Sequence, residues 1–373
     1  MQSGWLEEFM RKPAPDDKAA SETPGGDGVS RREFLHGGLA TGVAAGMAAG
    51  SVLAGQQVAQ AQQTAGSQAT PIGEKWWPSR WGPQDEAGAS NLITPAKVLE
   101  AARLIKTGKI YPLGRVYESD MPLFGARVFA LRIPGSPTGG PFGKNQLVYH
   151  DEFVSTEIGQ VGTQFDGLGH IGVIVGKPGD KTEMRYYNGF TEEEMGKPYG
   201  LEKLGVEKCK PFFTRAILVD VAGLKGRMLD KGEEITPADV LAALQREGIS
   251  EASIKPGDAI FFNTGWGSLW KKDNARFNSG EPGIGVEVAR WVVSKEPCMV
   301  GSDTWATEVV PNPNQDLVFV VHNELITKHG IYNHENLNFD DLIKDRAYEF
   351  VYIFNPMPIK GATGSAGSPI AIT

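Results

Sequence analysis

The sequence predicts an α/β protein with one domain, because short apolar runs alternate with segments of helical periodicity. The apolar runs have the length of buried strands, and each is followed by polar or glycine residues. Alternation of this kind is typical of layered α/β structures, in which functional groups often lie at strand ends. The runs are 216–219, 259–262, 299–300 and 350–354.

Two helices are predicted from complete start and stop signals. Thr94 precedes Pro95 at the start of the first, and Gly108 ends it. The second starts at Thr236 and Pro237 and ends near Gly248. A capping residue, a proline in the first turn and a terminal glycine are the expected order. Periodicity alone predicts further helices at 283–296 and 317–328, whereas the Pro/Gly-rich segment 135–144 predicts a loop that forms a mobile flap.

Composition excludes a nucleic-acid partner. The chain has 373 residues, of which 22% are charged and 40% hydrophobic, with a formal net charge of -8. These values are ordinary for a soluble enzyme and provide no basic patch. Cys209 and Cys298 do not have the spacing of a metal or redox site, so we expect two separate buried thiols.

The N-terminus predicts an export signal. Ser30-Arg-Arg-Glu-Phe-Leu35 is a twin-arginine pattern, and an uncharged Gly/Ala-rich run and Ala59-Gln-Ala61 follow it. We expect a signal peptide at 1–61, a flexible tether at 62–75 and the folded domain at 76–373. The mature protein would be periplasmic or secreted, with no stable membrane span after signal removal. The alternative is a leader that is retained as a membrane anchor.

The segment 160–170 contains the strongest candidates for chemistry. Gln160, Gln164, Asp166 and His170 lie at short spacing among glycines. A carboxylate and an imidazole are the groups that a hydrolytic metal site uses as ligand and proton carrier. Amide oxygen can complete the shell of a hard cation, but it replaces imidazole poorly at zinc. His322 and Glu335 provide a second imidazole and carboxylate further along the chain.

From these residues, the chain resembles the cyclase family that includes bacterial kynurenine formamidase and isatin hydrolase. The family motif His-x-Gly-Thr-His-x-Asp, with a further histidine four residues later, corresponds to Gln160-Val-Gly-Thr-Gln-Phe-Asp166 and His170. Collinear segments extend the resemblance over nearly all of 76–373. They include Trp81-Gly-Pro83, Asn91-Leu-Ile-Thr-Pro95, Pro256-Gly-Asp258, Thr264-Gly-Trp266, Ser302-Asp-Thr304 and Glu335-Asn-Leu337.

The resemblance implies a swivelling β/β/α fold, a homo-oligomer and a divalent metal that activates water against an amide, imide or lactone carbonyl. It implies that Asp166, His322 and Glu335 are ligands and that Asp166 and His170 are catalytic, with His170 carrying the proton. Gln160 and Gln164 occupy the positions of two ligand histidines. Either Mn²⁺ replaces Zn²⁺, with amide oxygen among its ligands, or the metal site is weakened or lost. We prefer the interpretation in which Mn²⁺ replaces Zn²⁺.

We therefore expect a metal-dependent hydrolase of a small, cyclic or aryl-bearing substrate. Phe165, Trp266 and Trp305 are the expected aromatic wall of its pocket. Two alternatives remain open. One is a lyase or cyclase that acts without hydrolysis, and the other is an exported protein that binds a small molecule without catalysis.

Overall fold

A nine-stranded mixed sheet organises the part of the chain that the computed structural model describes, residues 69–373. The strands of this part, numbered in chain order, are β1 (Ala69–Thr70), β2 (Gly73–Glu74), β3 (Ile110–Pro112), β4 (Phe129–Arg132), β5 (Gly139–Phe142), β6 (Leu147–Tyr149), β7 (Phe153–Thr156), β8 (Gln164–Asp166), β9 (Val173–Ile174), β10 (Met184–Arg185), β11 (Phe212–Asp220), β12 (Glu234–Ile235), β13 (Ala259–Asn263), β14 (Gly283–Ile284), β15 (Met299–Ser302), β16 (Tyr332–Glu335), β17 (Glu349–Phe354), β18 (Gly364–Ala366) and β19 (Ile370–Ile372).

The helices are short and lie between these strands. The α-helices are α1 (Pro95–Ala102), α2 (Glu192–Met195), α3 (Val221–Lys225), α4 (Pro237–Glu247), α5 (Asn274–Asn278), α6 (Val286–Ser294), α7 (Val320–His322) and α8 (Asp340–Asp345). A π-helix, Asn323–Lys328, continues α7. The 3₁₀ turns are Gly88–Leu92, Lys181–Glu183, Tyr187–Gly189, Val206–Lys208, Glu251–Ser253 and Trp266–Leu269.

The strand order of the main sheet is β18-β8-β16-β15-β13-β11-β17-β19-β3. The four strands β16, β15, β13 and β11 run parallel, and the strands on either side join them antiparallel. The structure therefore confirms the α/β class. Residues 69–373 all belong to one compact unit.

Alternate residues of the central strands pack on opposite faces of the sheet. Ala216 and Leu218 of β11 enter one core, while Ile217 and Val219 enter the other. Apolar residues of α4 and α6 cover the second core. Both faces of the sheet are thus buried, which explains why these strands are continuous apolar runs in the sequence.

The predicted starts of two helices are confirmed. The Thr94 hydroxyl accepts a hydrogen bond from the Lys97 amide, although α1 ends at Ala102. Thr236 and Asp239 form a capping box at α4, and Gly248 ends this helix in a left-handed conformation. The helix predicted for 283–296 is shorter, because its first two residues form β14.

Three other expectations concern loops, thiols and the N-terminus. The segment 135–144 contains β5, which pairs with β6, so its prediction as a loop was wrong at 139–142. Cys209 and Cys298 are both free, and Cys298 is buried while Cys209 is half-buried. The end of the expected tether pairs as β1 and β2. The signal peptide and the rest of the tether lie outside the described residues.

A two-part hairpin extends from the body of the protein. Strand β4 pairs with β7, and β5 pairs with β6 between them. We call residues 128–154 the apolar arm, because nine of its large hydrophobic side chains are exposed: Val128, Leu131, Ile133, Phe142, Leu147, Val148, Tyr149, Phe153 and Val154. Within residues 69–373, none of the helices has the length and apolarity needed to cross a membrane.

Candidate active site

The site forms where two antiparallel strands of the main sheet meet a helix end. In β8, Gln164 and Asp166 are two residues apart and share one face. The pairing of β8 with β16 places Glu335 opposite Gln164 and Asn333 opposite Asp166. His322 reaches the same point from the last residue of α7.

Asp166, His322 and Glu335 converge into one buried group. The His322 Nε2 atom lies 3.7 Å from Asp166 Oδ2 and 3.3 Å from Glu335 Oε1. One ligand atom from each residue lies within 4.8 Å of those from the other two. The structure therefore brings together three side chains that could hold a metal ion, and each is at most 6% exposed.

Two neighbours fix the orientation of this trio. Glu308 accepts hydrogen bonds from the His322 backbone amide at 3.0 Å and contacts His322 Nδ1 at 2.5 Å. This contact directs Nε2 towards the other two residues. The Asn333 amide donates to Glu335 Oε1 at 2.6 Å and to Asp166 Oδ2 at 3.2 Å.

Both glutamines of the motif lie at the trio as hydrogen-bond donors. Gln160 Nε2 donates to Asp166 Oδ1 at 2.9 Å, and Gln164 Nε2 donates to Glu335 Oε2. The Gln160 carbonyl oxygen accepts from Arg127 at 3.0 Å. In this arrangement Gln160 positions Asp166, and its oxygen is turned away from the trio.

His170 lies at the edge of the group. Its Nε2 atom is 3.8 Å from Asp166 Oδ1, and its Nδ1 atom is 3.4 Å from Gln160 Nε2. The side chain is 20% exposed, more than those of Asp166 and His322. A proton on His170 can therefore exchange with a molecule outside the trio.

The charges of the site shift the pKa values of its members. Burial disfavours the Asp166 carboxylate, but the imidazoles of His170 and His322 outweigh burial and lower its pKa to about 2. Burial and the neighbouring Asp166 raise the pKa of Glu335 to about 7. Burial opposes protonation of His322, yet Asp166, Glu308 and Glu335 raise its pKa well above the ordinary range. Burial lowers the pKa of His170, despite the charge of Asp166.

A cavity of about 240 Å³ opens beside the trio. Its polar wall contains His170, His322 and Glu335 together with both glutamines and Arg127. Its apolar wall contains Trp305, which stacks on Phe124 at 3.9 Å between ring centroids. The rest of that wall is Ile171, Ala306 and Phe319. The cavity suits a small molecule of about one ring, because typical ligand pockets are roughly 300–1,000 Å³.

The predicted aromatic wall was correct in position only for Trp305. Phe165 is fully buried in the core against Phe212 and Tyr332, because it lies on the face of β8 opposite Gln164 and Asp166. Trp266 is also fully buried, and its Nε1 atom donates to the Phe277 carbonyl. Phe165 and Trp266 do not line the cavity.

Sequence reasoning missed Arg127, Glu308 and Asn333. Asn333 had a usable signal, because it precedes Glu335 by two residues and the two share a face of β16. For Arg127 and Glu308 the sequence contained no usable signal. Arg127 meets Gln160 from 33 positions away, and Glu308 meets His322 from 14 positions away through a loop.

Comparison with protein families gives a match over more than half of the chain. The family model described as "Putative cyclase" matches residues 111–309. The crystal structure of a novel cyclase is 32% identical, with a TM-score of 0.67. The similarity covers 79% of this chain and 96% of that cyclase.

Two isatin hydrolases share the fold at lower identity. Isatin hydrolase A from Labrenzia aggregata, bound to benzyl benzoate, is 19% identical with a TM-score of 0.51, over 70% of this chain and 93% of that one. Isatin hydrolase A from Ralstonia solanacearum is 19% identical with a TM-score of 0.53, over 75% and 97%. Comparison with curated proteins gave no match. The family match and the 32% identical structure, which cover the site residues from Gln160 to Glu308, show that this chain belongs to the cyclase family.

Proposed function

We propose that the protein is a metal-dependent hydrolase that cleaves an amide, a cyclic imide or a lactone in a small aryl-bearing or cyclic substrate. One observation carries this proposal: Asp166, His322 and Glu335 form a buried trio, and two of its members, His322 and Glu335, line a cavity together with His170. Family membership supports an enzyme. The bond that is cleaved is our inference from the chemistry of the site.

The donor set fits a divalent cation. Two buried carboxylates at one point repel each other, and burial together with this repulsion raises the pKa of Glu335. A cation would relieve it and would displace the proton that the acidic neighbours hold on His322. Two carboxylates and one imidazole suit Mn²⁺ better than Zn²⁺, because hard oxygen ligands outnumber nitrogen. When bound, such a cation supplies Lewis acidity, which lowers the pKa of water and polarises a carbonyl group.

We assign proton transfer to His170 with Asp166 beside it. Burial lowers the pKa of His170, so its imidazole is neutral at neutral pH and can accept a proton from the attacking water. The Asp166 carboxylate, 3.8 Å away, stabilises the imidazolium that forms. His170 then returns the proton to the leaving nitrogen or oxygen of the substrate.

Metal content and one histidine variant test this function. We expect the purified full chain to retain near-stoichiometric manganese after supplementation. His170→Ala should lose about 100-fold or more in kcat, the usual contribution of a general acid or base. His150→Ala is the matched control, because His150 is exposed on the apolar arm. Activity of His170→Ala within a few-fold of the wild type would contradict the assigned role.

A non-catalytic binding protein is the second candidate, and one observation favours it. Each carboxylate oxygen of Asp166 and Glu335 already accepts an amide hydrogen bond, from Gln160, Gln164 or Asn333. Such a site can persist without a cation. Failure to retain any divalent metal would support this candidate. An enzyme whose product has not gained the mass of water would indicate a lyase or cyclase instead.

We also propose that the protein is an exported homo-oligomer. The twin-arginine pattern at 30–35 supports export. The apolar arm supports self-association, because exposed apolar patches of this kind mark interaction surfaces. Light scattering after gel filtration tests the assembly, and replacing Leu131 and Phe153 by serine should shift it towards monomer. N-terminal sequencing of the periplasmic protein tests export, with Gln62 as the expected first residue.

A further inference from the structure

Arg127 is a cationic side chain in the cavity wall that the proposed chemistry does not use. It stands at the base of the apolar arm, one residue before Val128. Among the described residues that line the cavity, it is the only arginine or lysine. Its guanidinium lies over the Phe124 ring, with the central carbon 5.5 Å from the ring centroid.

No carboxylate of the described residues is in direct contact with the guanidinium, although the charges of Glu335, Asp166 and Glu157 act on it from a longer distance. One terminal nitrogen donates to Gln160 Oε1 at 3.0 Å, and the other donates to the Phe124 carbonyl at 3.4 Å. No carboxylate oxygen of residues 69–373 forms an ion pair with it within 4.0 Å, whereas many other arginines of this part have one. Arginine has five N–H donors, so these two hydrogen bonds leave three for a further partner.

Gln160 is the residue that makes this placement possible. Its oxygen accepts from Arg127 while its nitrogen donates to Asp166. A histidine at this position that directed its lone pair to a metal would have no second lone pair for a guanidinium. A glutamine at position 160 therefore holds a fixed cation in the cavity wall.

A half-buried, oriented guanidinium with free N–H donors and no carboxylate in direct contact is suited to a planar anion. Arginine binds carboxylates through two parallel N–H donors, and the pairing strengthens where water is scarce. The apolar wall formed by Trp305 and Phe319 would hold the rest of such a ligand. With a volume of about 240 Å³, the cavity has room for one ring with its substituents.

We propose that Arg127 is a specificity-determining residue that selects substrates with a carboxylate group on a single-ring apolar body. This inference rests on the proposed function, because it places the substrate in the same cavity. The carboxylate lies at Arg127, and the bond to be cleaved lies at the trio. Gln160 acts as a positioning residue through its hydrogen bond to the guanidinium.

Binding of benzoate and of its neutral counterpart benzamide tests the proposal by calorimetry on the manganese-loaded full chain. We expect benzoate to bind about tenfold or more tightly than benzamide, as hydrogen bonds to a charged group imply. Arg127→Leu should abolish this preference. Arg127→Lys, which keeps the charge but loses the planar fork, should retain part of it. Arg132→Leu is the matched control, because Arg132 is exposed on the same arm.

Benzoate could bind to manganese instead of to Arg127. Measurements on the metal-free protein distinguish these two modes of binding. A preference that survives in Arg127→Leu and disappears when the metal is removed would overturn the proposal. Absence of benzoate binding by the wild type would overturn it as well. If the wild type retains no manganese but prefers benzoate through Arg127, the proposed function fails and the inference stands. Thermal melts of both Arg127 variants verify that they are folded.

Discussion

Two buried polar clusters on the main sheet differ in charge balance. In the first, the Asp258 carboxylate contacts both Lys97 Nζ and Arg215, the latter at 2.7 Å. The Lys255 amide also donates to Asp258 at 2.9 Å. Arg215 reaches Glu349 at the surface, at 2.6 Å. Lys97 also contacts Glu100, which pairs with Lys255, so three cations face three acids and the cluster is neutral.

The cluster at the site is not balanced. Three buried carboxylates, those of Asp166, Glu308 and Glu335, surround the single imidazole of His322. Burial and the charge of Asp166 raise the pKa of Glu335, and the three carboxylates raise the pKa of His322 against the effect of burial. A cluster that serves only stability has its charges paired, whereas this one has an excess of negative charge that a cation would neutralise.

The largest effect on stability is expected for Asp258→Ala. Removing this acid leaves Lys97 and Arg215 buried without their main partner, which costs about 3–5 kcal/mol. Urea unfolding of the variant measures the loss. Asp120→Ala is the control, because Asp120 pairs with Lys271 at the surface and is 68% exposed. A loss for Asp258→Ala no larger than that of the control would remove the distinction between the clusters.

Asp166→Asn should affect metal binding more than stability, in contrast to Asp258→Ala. We expect metal affinity to fall by at least about 100-fold, since even the loss of a residue that only orients a ligand costs up to that much. The metal-free variant should unfold at a somewhat lower urea concentration than the wild type, because a carboxylate whose pKa is lowered to about 2 stabilises the fold when it is ionised. Calorimetric titration with Mn²⁺ and urea unfolding measure the two effects. The exposed Asp316→Asn provides the reference, and an affinity for Mn²⁺ equal to that of the wild type would argue against Asp166 as a ligand.

Glu308→Gln is a milder test of the same cluster. The glutamine oxygen can still accept from the His322 amide, but it no longer stabilises positive charge on the imidazole. We expect metal affinity to decrease about tenfold, the smaller effect found for residues that orient a ligand. Unchanged affinity for Mn²⁺ in a titration would show that Glu308 has no part in the site.

Glu247 is a further, half-buried acid whose pKa is raised, and it allows the effect of burial to be measured away from the site. It lies outside both clusters, where burial raises its pKa from 4.5 to about 8. Because the folded state holds this proton more tightly, stability falls as pH rises from about 4.5 to about 8 and is then constant.

Glu247→Gln should remove this loss and leave stability at pH 4 unchanged. After allowance for partial exposure, we expect a gain of about 1 kcal/mol at pH 9. Unfolding curves at both pH values measure it. A gain of equal size at pH 4 would mean that ionisation is not the cause.

Local signals in the sequence predicted some elements well. The caps of α1 and α4 involve residues within three positions, so their starts could be placed closely. Strands β8 and β16 were missed, because they are short and polar and their pairing joins distant segments. Asp166, His170, His322 and Glu335 were predicted from their chemistry and from the family resemblance, and the structure places them together.

The direction of side chains was the main source of error at the site. If Gln164 and Asp166 face the cavity, the two-residue repeat of a strand already requires Phe165 to face the core. The direction of the Trp266 side chain could not be predicted in this way, because Trp266 lies in a 3₁₀ turn and not in a strand. Arg127 and Glu308 could not be predicted, since only tertiary contacts bring them to the site.

The position of β8 in the sheet has a consequence for synthesis of the protein. This strand pairs on one side with β16 and on the other with β18. Gln164 and Glu335, which touch in the site, are 171 positions apart. Contacts of such long range form late in folding, because loop closure must precede them. A nascent chain on the ribosome therefore cannot assemble the candidate site until β16, and with it Glu335, has been synthesised.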